Sequence, residues 1–360
     1  MHQPCISAMH ILRPGGGTVN STTSTFSLYP YALTRIMLIR LTPQTPMDSI
    51  PAMPRPDFPR PLGEFQRRFG DEEACRLSLA ESRWPDGFRC PRCGSEAALE
   101  LPARLLWRCR RCGRETSVTA GTVLHRTRLP LTQWFWASDL VTTHPPGLSA
   151  LQLQRQLGIV RYETAWVMRQ KLRRAMVRPD REPLHDKVEV DETDVGGPEA
   201  GLRGGRELLG KALVVGAVEV RGPASGRVRL QVIPDASGPS LTGFVKRNVE
   251  PGVIVVTDGW PGYAPLSEMG DRRRPRTQRQ PERAEKILPR VHRVFGNLKT
   301  WLRGTHHGVG HQHRQAYLDE FTFRFNRRRT PMAAVQTLLG LGSQQPATTY
   351  NQLYGVESTG

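Results

Sequence analysis

The chain has 360 residues, a length that fits two or three small domains. Its composition, 38% hydrophobic and 23% charged, is that of ordinary soluble proteins, and no apolar run reaches the roughly 18 to 20 residues that span a bilayer, which excludes an integral membrane protein. A formal charge of +18 makes nucleic acid the first partner to consider, although 45 of the 51 cations are Arg, a bias that GC-rich coding can also produce.

The first segment has the composition of a disordered leader. Residues 1–47 carry no acidic side chain and contain Gly-rich and Ser/Thr-rich stretches, which offer little material for a core. We therefore predict a disordered leader over residues 1–56. Such a leader can resemble an organelle transit peptide, but the preferred interpretation is translated upstream sequence, with Met47 or Met53 as the true start.

Residues 57–126 are predicted to form a zinc-ribbon region. One or two short amphipathic helices between Leu62 and Leu79 are predicted to precede the cysteines within it. Two Cys-x-x-Cys-Gly units stand fifteen residues apart, a spacing typical of four-thiolate zinc sites. The predicted zinc ligands are Cys90, Cys93, Cys109 and Cys112. Gly94 and Gly113 follow the second Cys of each unit, where a tight turn favours positive φ. Four thiolates leave no open position for water, so the zinc is expected to be structural.

Other uses of these cysteines fit less well. Four buried free thiols would need two matching units by accident, and redox pairs lack a surrounding βαβ pattern here. Three disulfides are a third alternative, but only Cys5 and Cys75 remain outside the two units. Metal binding in a reducing compartment is therefore the preferred interpretation.

Residues 127–182 are predicted to be a helical, DNA-binding segment. A helical pattern begins near Leu131, breaks at His144–Gly147, and continues as two helices around Gly158. This outline is typical of a helix-turn-helix, whose second helix enters the major groove; an ordinary helical hairpin is the alternative. The candidate DNA contacts on the second helix are Arg161, Tyr162, Arg169, Lys171, Arg173 and Arg174.

After Glu182 the hydrophobic period changes from 3.6 to 2, which predicts strands. Three successive strands, expected to form an antiparallel meander, are predicted at 187–191, 212–220 and 227–233. A helix over 240–248 leads into the continuous apolar run 253–258, typical of a buried central strand, and helical patterns resume between about 288 and 327.

Two of these strands are predicted to end in a carboxylate, with glycines further on: Gly196 and Gly197 after Asp191, and Gly259 after Asp258. Asp191 and Asp258 are therefore placed to hold hard cations at the edge of a sheet, although an Asp at a strand end is more often a turn former. Two cations a few ångströms apart can activate water or a 3′-hydroxyl and stabilise the leaving oxygen of a phosphodiester.

Five motifs, in this order, resemble bacterial insertion-sequence transposases of the ISXO-like group, and the resemblance covers about residues 60–330. The motifs are Trp84–Gly94, Val188–Gly197, Val256–Trp260, Asn297–Gly308 and Tyr317–Arg328. The resemblance implies a multidomain α+β or α/β protein with three parts. They are the zinc ribbon over 57–126, the helix-turn-helix-like segment over 127–182, and a ribonuclease-H-like DDE domain with a mixed sheet and flanking helices over 183–335, followed by a C-terminal tail over 336–360.

The resemblance further implies a DNA transposase of an insertion sequence, a cytoplasmic, nucleoid-associated bacterial enzyme. It would bind terminal inverted repeats and carry out strand cleavage and strand transfer with two Mg²⁺ or Mn²⁺ ions. Its partners would be double-stranded terminal-repeat and target DNA, bound by a homodimer or larger assembly. A catalytically inactive zinc-ribbon DNA-binding protein derived from a transposase is the alternative.

The third metal ligand has three candidates beside Asp191 and Asp258. The family pattern puts an Asn or Glu on a late helix, and Asn297 matches the Asn form. Glu320 ranks second, with a structural pairing to Arg324 as its alternative role. His292 ranks third, seven residues before Lys299, at a spacing where an acid often stands in DDE enzymes.

Cations surround this late segment. Lys299 and Arg303, with His306 and His307, are candidates for contacts with backbone phosphates or the leaving strand. Residues 271–293 are predicted to form a basic loop that lies over DNA, with a solvated loop as the alternative.

Overall fold

A computed structural model of the chain describes residues 58–178, 180–196, 211–268, 272–275, 287–306, 309–349 and 352–353. Contacts divide the chain into Met1–Arg55, which lies wholly outside these residues, and the compact unit Pro56–Gly360. The predicted leader, residues 276–286 of the predicted basic loop, and His307 therefore lie outside the described residues. Among the residues described, no helix has the length and apolar character needed to cross a bilayer.

Two helices and a small sheet form the first part of this unit. Helix α1 spans Leu62–Arg68 and α2 spans Glu72–Arg83, where Asp71 accepts from the amide of Ala74 at 2.8 Å and so caps α2. Strands β1 (Ala98–Leu101), β2 (Leu106–Cys109) and β3 (Glu115–Ser117) then form an antiparallel sheet in chain order. The predicted helices before the cysteines are thus confirmed.

Three helices follow, in the predicted order. They are α3 (Leu131–Thr143), α4 (Ala150–Gln156) and α5 (Tyr162–Ala175). Ser149 caps α4 by accepting from the amide of Gln152 at 3.1 Å, and Gly158 takes a φ of +62° in the turn before α5. Pattern and turn agree with the predicted helix–turn–helix succession.

A five-stranded mixed sheet forms the second part. Its strands are β4 (Lys187–Val195), β5 (Ala212–Arg221), β6 (Ala224–Ile233), β7 (Ile254–Thr257) and β8 (Arg272–Pro275), in the order β6-β5-β4-β7-β8. Strands β4, β5 and β6 are antiparallel, which confirms the predicted meander, and β7 joins β4 in parallel after helix α6 (Gly238–Asn248). Strand β8 pairs in parallel with β7, so residues 272–275 are not part of a loop.

Four further helices complete the described chain. They are α7 (Pro265–Glu268), α8 (Pro289–Trp301), α9 (Arg314–Asn326) and α10 (Pro331–Gln344), and a π-helical turn, Leu302–His306, follows α8. The C-terminal tail predicted from residue 336 begins inside α10, so this boundary needs correction. The buried side chains of Val335, Leu338 and Leu339 show why the segment is ordered.

Three clusters of buried side chains hold these elements together. The first joins α1–α5, the zinc-ribbon region and α10. The second lies between one face of the large sheet and α6, and the third between the other face and helices α8 and α9. The large sheet is therefore covered on both faces, and its open strand ends are the surface on which polar side chains can meet.

Candidate zinc centre and active site

The four predicted zinc ligands converge. Their Sγ atoms all lie within 4.8 Å of one another, and the Cys90–Cys112 and Cys93–Cys109 pairs are each separated by 3.6 Å. A tetrahedron of thiolates at a Zn–S distance of about 2.3 Å places its sulfur atoms roughly 3.8 Å apart. The cluster therefore fits a structural zinc ion.

Each cysteine pair lies on a tight turn. Gly94 donates to the carbonyl of Cys90 and Gly113 to that of Cys109, both at 2.9 Å, with φ values of +71° and +72°. Positive φ at both glycines was predicted and is confirmed. The hydrogen bond from the backbone amide of Cys112 lowers the pKa of the Cys109 thiol to about 6, although burial acts in the opposite direction. The lowered pKa favours the thiolate, which is the form that binds metal.

The parallel pairing of β4 and β7 brings together the two predicted carboxylates, although β4 continues to Val195, four residues past its predicted end at Asp191. Lys187 pairs with Ile254 and Glu189 with Val256, so the same register continued two residues further aligns Asp191 with Asp258. Parallel strands have their carboxyl ends at the same sheet edge. Asp191 and Asp258 are thus neighbours at this edge, and the charge of Asp258 acts on the Asp191 carboxyl.

Asp191 is the buried member of the pair. It is 7% exposed, and its Oδ1 accepts from the amide of Glu192 at 2.9 Å. Burial raises the pKa of Asp191 to about 7, and the negative charge of Asp258 acts in the same direction. A proton or a cation would relieve this repulsion. His292, on α8, places its Nε2 3.4 Å from Oδ2 of Asp191.

Helix α8 owes its position partly to Glu189, two residues before Asp191 on β4 and so on the same face of the strand. The buried Glu189 carboxylate accepts from the amides of Arg290 and Val291 at 2.7 and 3.1 Å, and from the Arg290 guanidinium at 2.8 Å. It therefore satisfies amides at the first turn of α8, where a negative charge is favourable. One strand thus carries Asp191 and anchors the helix that presents His292.

Glu192 and Tyr263 were not identified from the sequence as site residues. The Tyr263 hydroxyl donates to Oε2 of Glu192 at 2.5 Å, beside Asp191 and Asp258. Burial raises the pKa of Glu192 to about 7, the bond from Tyr263 opposes this shift, and the charges of both aspartates add to it. Glu192 directly follows Asp191 in the Val188–Gly197 motif, and this adjacency is the sequence feature that could have identified it as a site residue.

The other candidates for the third ligand lie elsewhere. Asn297 is on α8 and exposed, and five residues place it about 140° around the helix from His292. Among the described contacts, no hydrogen bond joins Asn297 to either aspartate. Glu320, on α9, is completely buried and bonded to Arg169 and Arg173. Its expected partner Arg324 instead donates to the carbonyls of His144 and Pro145.

The predicted DNA contacts divide into exposed and buried groups. Arg161 and Tyr162 are exposed at the start of α5, and Arg174 is exposed near its end. Arg303 is also exposed, whereas Lys299 is half-buried. These exposed side chains are accessible to a DNA ligand.

Three of the predicted contacts need correction or qualification. Arg169 and Arg173 are 1% and 3% exposed, because they share the inward stripe of α5 with Leu172 and pair with Glu320. Neither side chain is available to DNA in this structure. Lys171 is half-buried and donates to the carbonyl of His125 at 3.1 Å.

Comparison with known proteins finds similarity in two segments of the chain. The family described as ISXO2-like transposase domain matches residues 183–326, and the family described as transposase zinc-ribbon domain matches residues 70–115. Together the two matches cover just over half of the chain.

A relative from Halobacterium salinarum, described as an uncharacterized protein in transposable element ISH50, is 30% identical over 141 residues. The aligned segment covers 38% of this chain and 46% of the relative, so the chain spans less than half the length of the curated relative that it matches.

Proposed function

Because residues 183–326 match the ISXO2-like transposase domain and residues 70–115 match the transposase zinc-ribbon domain, we propose that this chain is a DDE-type DNA transposase. It binds the terminal inverted repeats of an insertion sequence and carries out DNA cleavage and strand transfer. The observation that carries the proposal is the alignment of Asp191 and Asp258 on adjacent parallel strands, with His292 3.4 Å from Asp191.

The order and direction of the strands support a ribonuclease-H-like catalytic domain. Three antiparallel strands come first, and after a helix the fourth joins the first in parallel, so that carboxylates from the first and fourth strands share one edge. Helices cover both faces of the sheet. A buried sheet of this kind holds side chains at its edge more rigidly than a loop does.

Asp191 and Asp258 would hold the divalent cations, Mg²⁺ or Mn²⁺, because hard cations prefer carboxylate oxygen. Bound there, two such ions would supply charge stabilisation to the scissile phosphate. The protein contributes the fixed spacing of the carboxylates and a partly buried site around Asp191. Water is the nucleophile for cleavage and the freed 3′-hydroxyl is the nucleophile for joining.

His292 is our choice for the third site residue. Its imidazole is next to Asp191, whereas Asn297 is exposed on another side of α8 and Glu320 is buried against two guanidinium groups. An imidazole nitrogen can ligate a cation, or orient a hydrogen-bonded carboxylate, without adding negative charge.

DNA recognition is assigned to the exposed end of the helix-turn-helix. Val160 is 92% and Tyr162 45% exposed, and the cation Arg161 lies between them. In helix-turn-helix proteins the first residues of the second helix contact base edges, and apolar side chains can contact the thymine methyl group. Arg303, exposed in the turn after α8, would contact backbone phosphates. We further propose that two or more copies assemble on DNA, because transposition must pair two ends.

Cleavage and joining of a labelled duplex test the proposal. The duplex carries the DNA that flanks the gene, and Mg²⁺ or Mn²⁺ is supplied. We expect product from the parent and a loss on the order of 10³-fold for Asp258→Ala. Asp194→Asn, which changes an exposed carboxylate on the neighbouring strand β4, is the matched control and should leave the rate unchanged.

Two results would count against the proposal. Equal product from the parent and Asp258→Ala would exclude this edge as the reaction centre. Binding of the terminal repeat by every variant, with no product from any of them, would instead identify a catalytically inactive DNA-binding derivative.

A further inference from the structure

One hydrogen bond joins the two segments that carry the catalytic carboxylates. Glu192 directly follows Asp191 on β4, and Tyr263 lies five residues after Asp258, at the end of the 3₁₀ turn Pro261–Tyr263. The Tyr263 hydroxyl donates to Glu192 at 2.5 Å across 71 positions of sequence.

Strand pairing holds Asp191 and Glu192 against β5, but it does not join them to the segment that carries Asp258. The last aligned pair of β4 and β7 is Glu189 with Val256, and β7 ends at Thr257. Asp191 and Asp258 therefore both lie two residues beyond the last positions at which β4 and β7 pair with each other. The bond between Glu192 and Tyr263 connects the segments past that point.

The turn that carries Tyr263 is itself fixed to Asp258. Oδ1 of Asp258 accepts from the amide of Trp260 at 2.9 Å, and the carbonyl of Trp260 accepts from the amide of Tyr263 at 3.1 Å. The Trp260 indole donates to the carbonyl of Ala236 at 2.9 Å. The Tyr263 ring is completely buried in the core between the sheet and α6. A shift of Glu192 relative to Asp258 would therefore have to break a hydrogen bond or displace a buried ring.

We propose that Tyr263 is a positioning residue, which holds Glu192 and thereby fixes the separation of the Asp191 and Asp258 carboxylates for a divalent cation. This role rests on the proposed function, since it concerns the same metal site. Groups that orient a metal ligand typically contribute 10- to 100-fold to metal affinity or activity. The hydroxyl of Tyr263 should therefore matter even though it does not react.

Direct Mn²⁺ binding to the full chain, measured from the electron paramagnetic resonance of the free ion, tests the role. We expect Tyr263→Phe to weaken Mn²⁺ binding by roughly 10- to 100-fold and to raise the Mn²⁺ concentration needed for half-maximal strand transfer by a similar factor. Tyr317→Phe is the matched control: it also removes a hydroxyl, and the Tyr317 ring keeps its contacts with Trp301 and His306. It should bind Mn²⁺ like the parent.

Variants of Glu192 separate positioning from direct ligation. Glu192→Gln retains an oxygen that accepts from the Tyr263 hydroxyl, so we expect Mn²⁺ affinity within about threefold of the parent, because a retained hydrogen bond keeps the orienting partner in place. Glu192→Ala removes the acceptor and should reproduce Tyr263→Phe. If Tyr263→Phe does not fold, the Mn²⁺ affinities of Glu192→Gln and Glu192→Ala test the positioning role instead. Equal weakening by Gln and Ala would show that the charge matters, and would overturn the positioning role.

Different results would contradict the proposed function and the positioning role of Tyr263. Mn²⁺ binding that is unaffected by Asp258→Ala would overturn the metal site itself and the positioning role with it. Binding that depends on Asp258 but is the same in the parent and in a folded Tyr263→Phe protein would overturn the positioning role alone.

Discussion

The Arg169 guanidinium donates to both carboxylate oxygens of Glu320, at 2.8 and 2.7 Å, although the two residues are 151 positions apart. Arg173 donates to the same carboxylate at 2.7 Å, and its guanidinium lies 3.6 Å from the Tyr317 ring centroid. These contacts join α5, in the predicted DNA-binding segment, to α9, in the part that matches the transposase domain. Arg169 and Arg173 were predicted to contact DNA, but in the structure they connect α5 to α9 through Glu320.

Breaking this buried network should cost much stability. In Glu320→Gln two buried guanidinium groups lose their counter-charge, and we expect the free energy of unfolding in urea to fall by about 3 to 5 kcal/mol. Glu163→Gln, which changes an exposed carboxylate on α5, should alter it by less than about 0.5 kcal/mol. A similar small loss for both variants would contradict the network's role.

The same carboxylate should make stability depend on acid pH. Burial would raise the pKa of Glu320, but the charges of Arg169 and Arg173 outweigh it and lower the value from 4.5 to about 2. A lowered folded-state pKa gives stability that is fully present above about pH 4.5 and is lost as the pH falls toward 2. The difference in unfolding free energy between the parent and Glu320→Gln should therefore shrink over this range. A constant difference would rule out the ionised pair.

Zinc content provides a test of the cysteine cluster. We expect the parent to carry one zinc ion per chain, and Cys109→Ala to lose it together with the ordered ribbon, because structural zinc sites supply folding free energy. Cys75→Ser changes a buried cysteine outside the cluster and should retain the zinc. Elemental analysis and thermal unfolding would measure both effects. Full zinc content in Cys109→Ala would exclude this residue as a ligand.

His292 and Asn297 can be distinguished by strand-transfer rates. Because only His292 lies beside Asp191, we expect His292→Ala to reduce the rate by on the order of 10²-fold and Asn297→Ala by less than about tenfold. The opposite order would restore Asn297 as the third site residue. Circular dichroism should show that both variants retain the fold.

Gly216 controls how closely α8 approaches the sheet. A Cβ at Gly216, on β5, would lie 2.7 Å from the Phe295 ring of α8, three residues after His292. We expect Gly216→Ala to destabilise the protein by about 1 to 3 kcal/mol through overpacking. Gly340→Ala, on α10, meets nothing within 4 Å and should be neutral or stabilising by up to about 1 kcal/mol. Calorimetric unfolding of the two variants would compare them directly.

Local pattern was enough to predict most of the secondary structure. Alternation identified β4, β5 and β6, and the repeated Cys-x-x-Cys-Gly units identified the zinc turns. Both signals are contained in a few consecutive residues, so no knowledge of distant partners was needed.

Properties that depend on distant partners were not predictable in this way. Arg169 points inward because it pairs with Glu320. The hydrogen bond between Tyr263 and Glu192 forms only when β7 pairs with β4. Helical spacing placed Arg169 on the apolar stripe of α5, but a charged side chain there is stable only with a buried partner that the sequence around it does not reveal.

Helix α10 has a consequence for synthesis of the protein. It packs into the same core as α2, α3 and α5, with Val335 and Leu338 buried there. Since translation proceeds from the N-terminus, that core stays incomplete on the ribosome until the large sheet, its helices and α10 have all emerged. A chain that stops after α9 would expose the apolar surface that α10 covers. Helices α2, α3 and α5 therefore reach their final packing only after α10 has been synthesised.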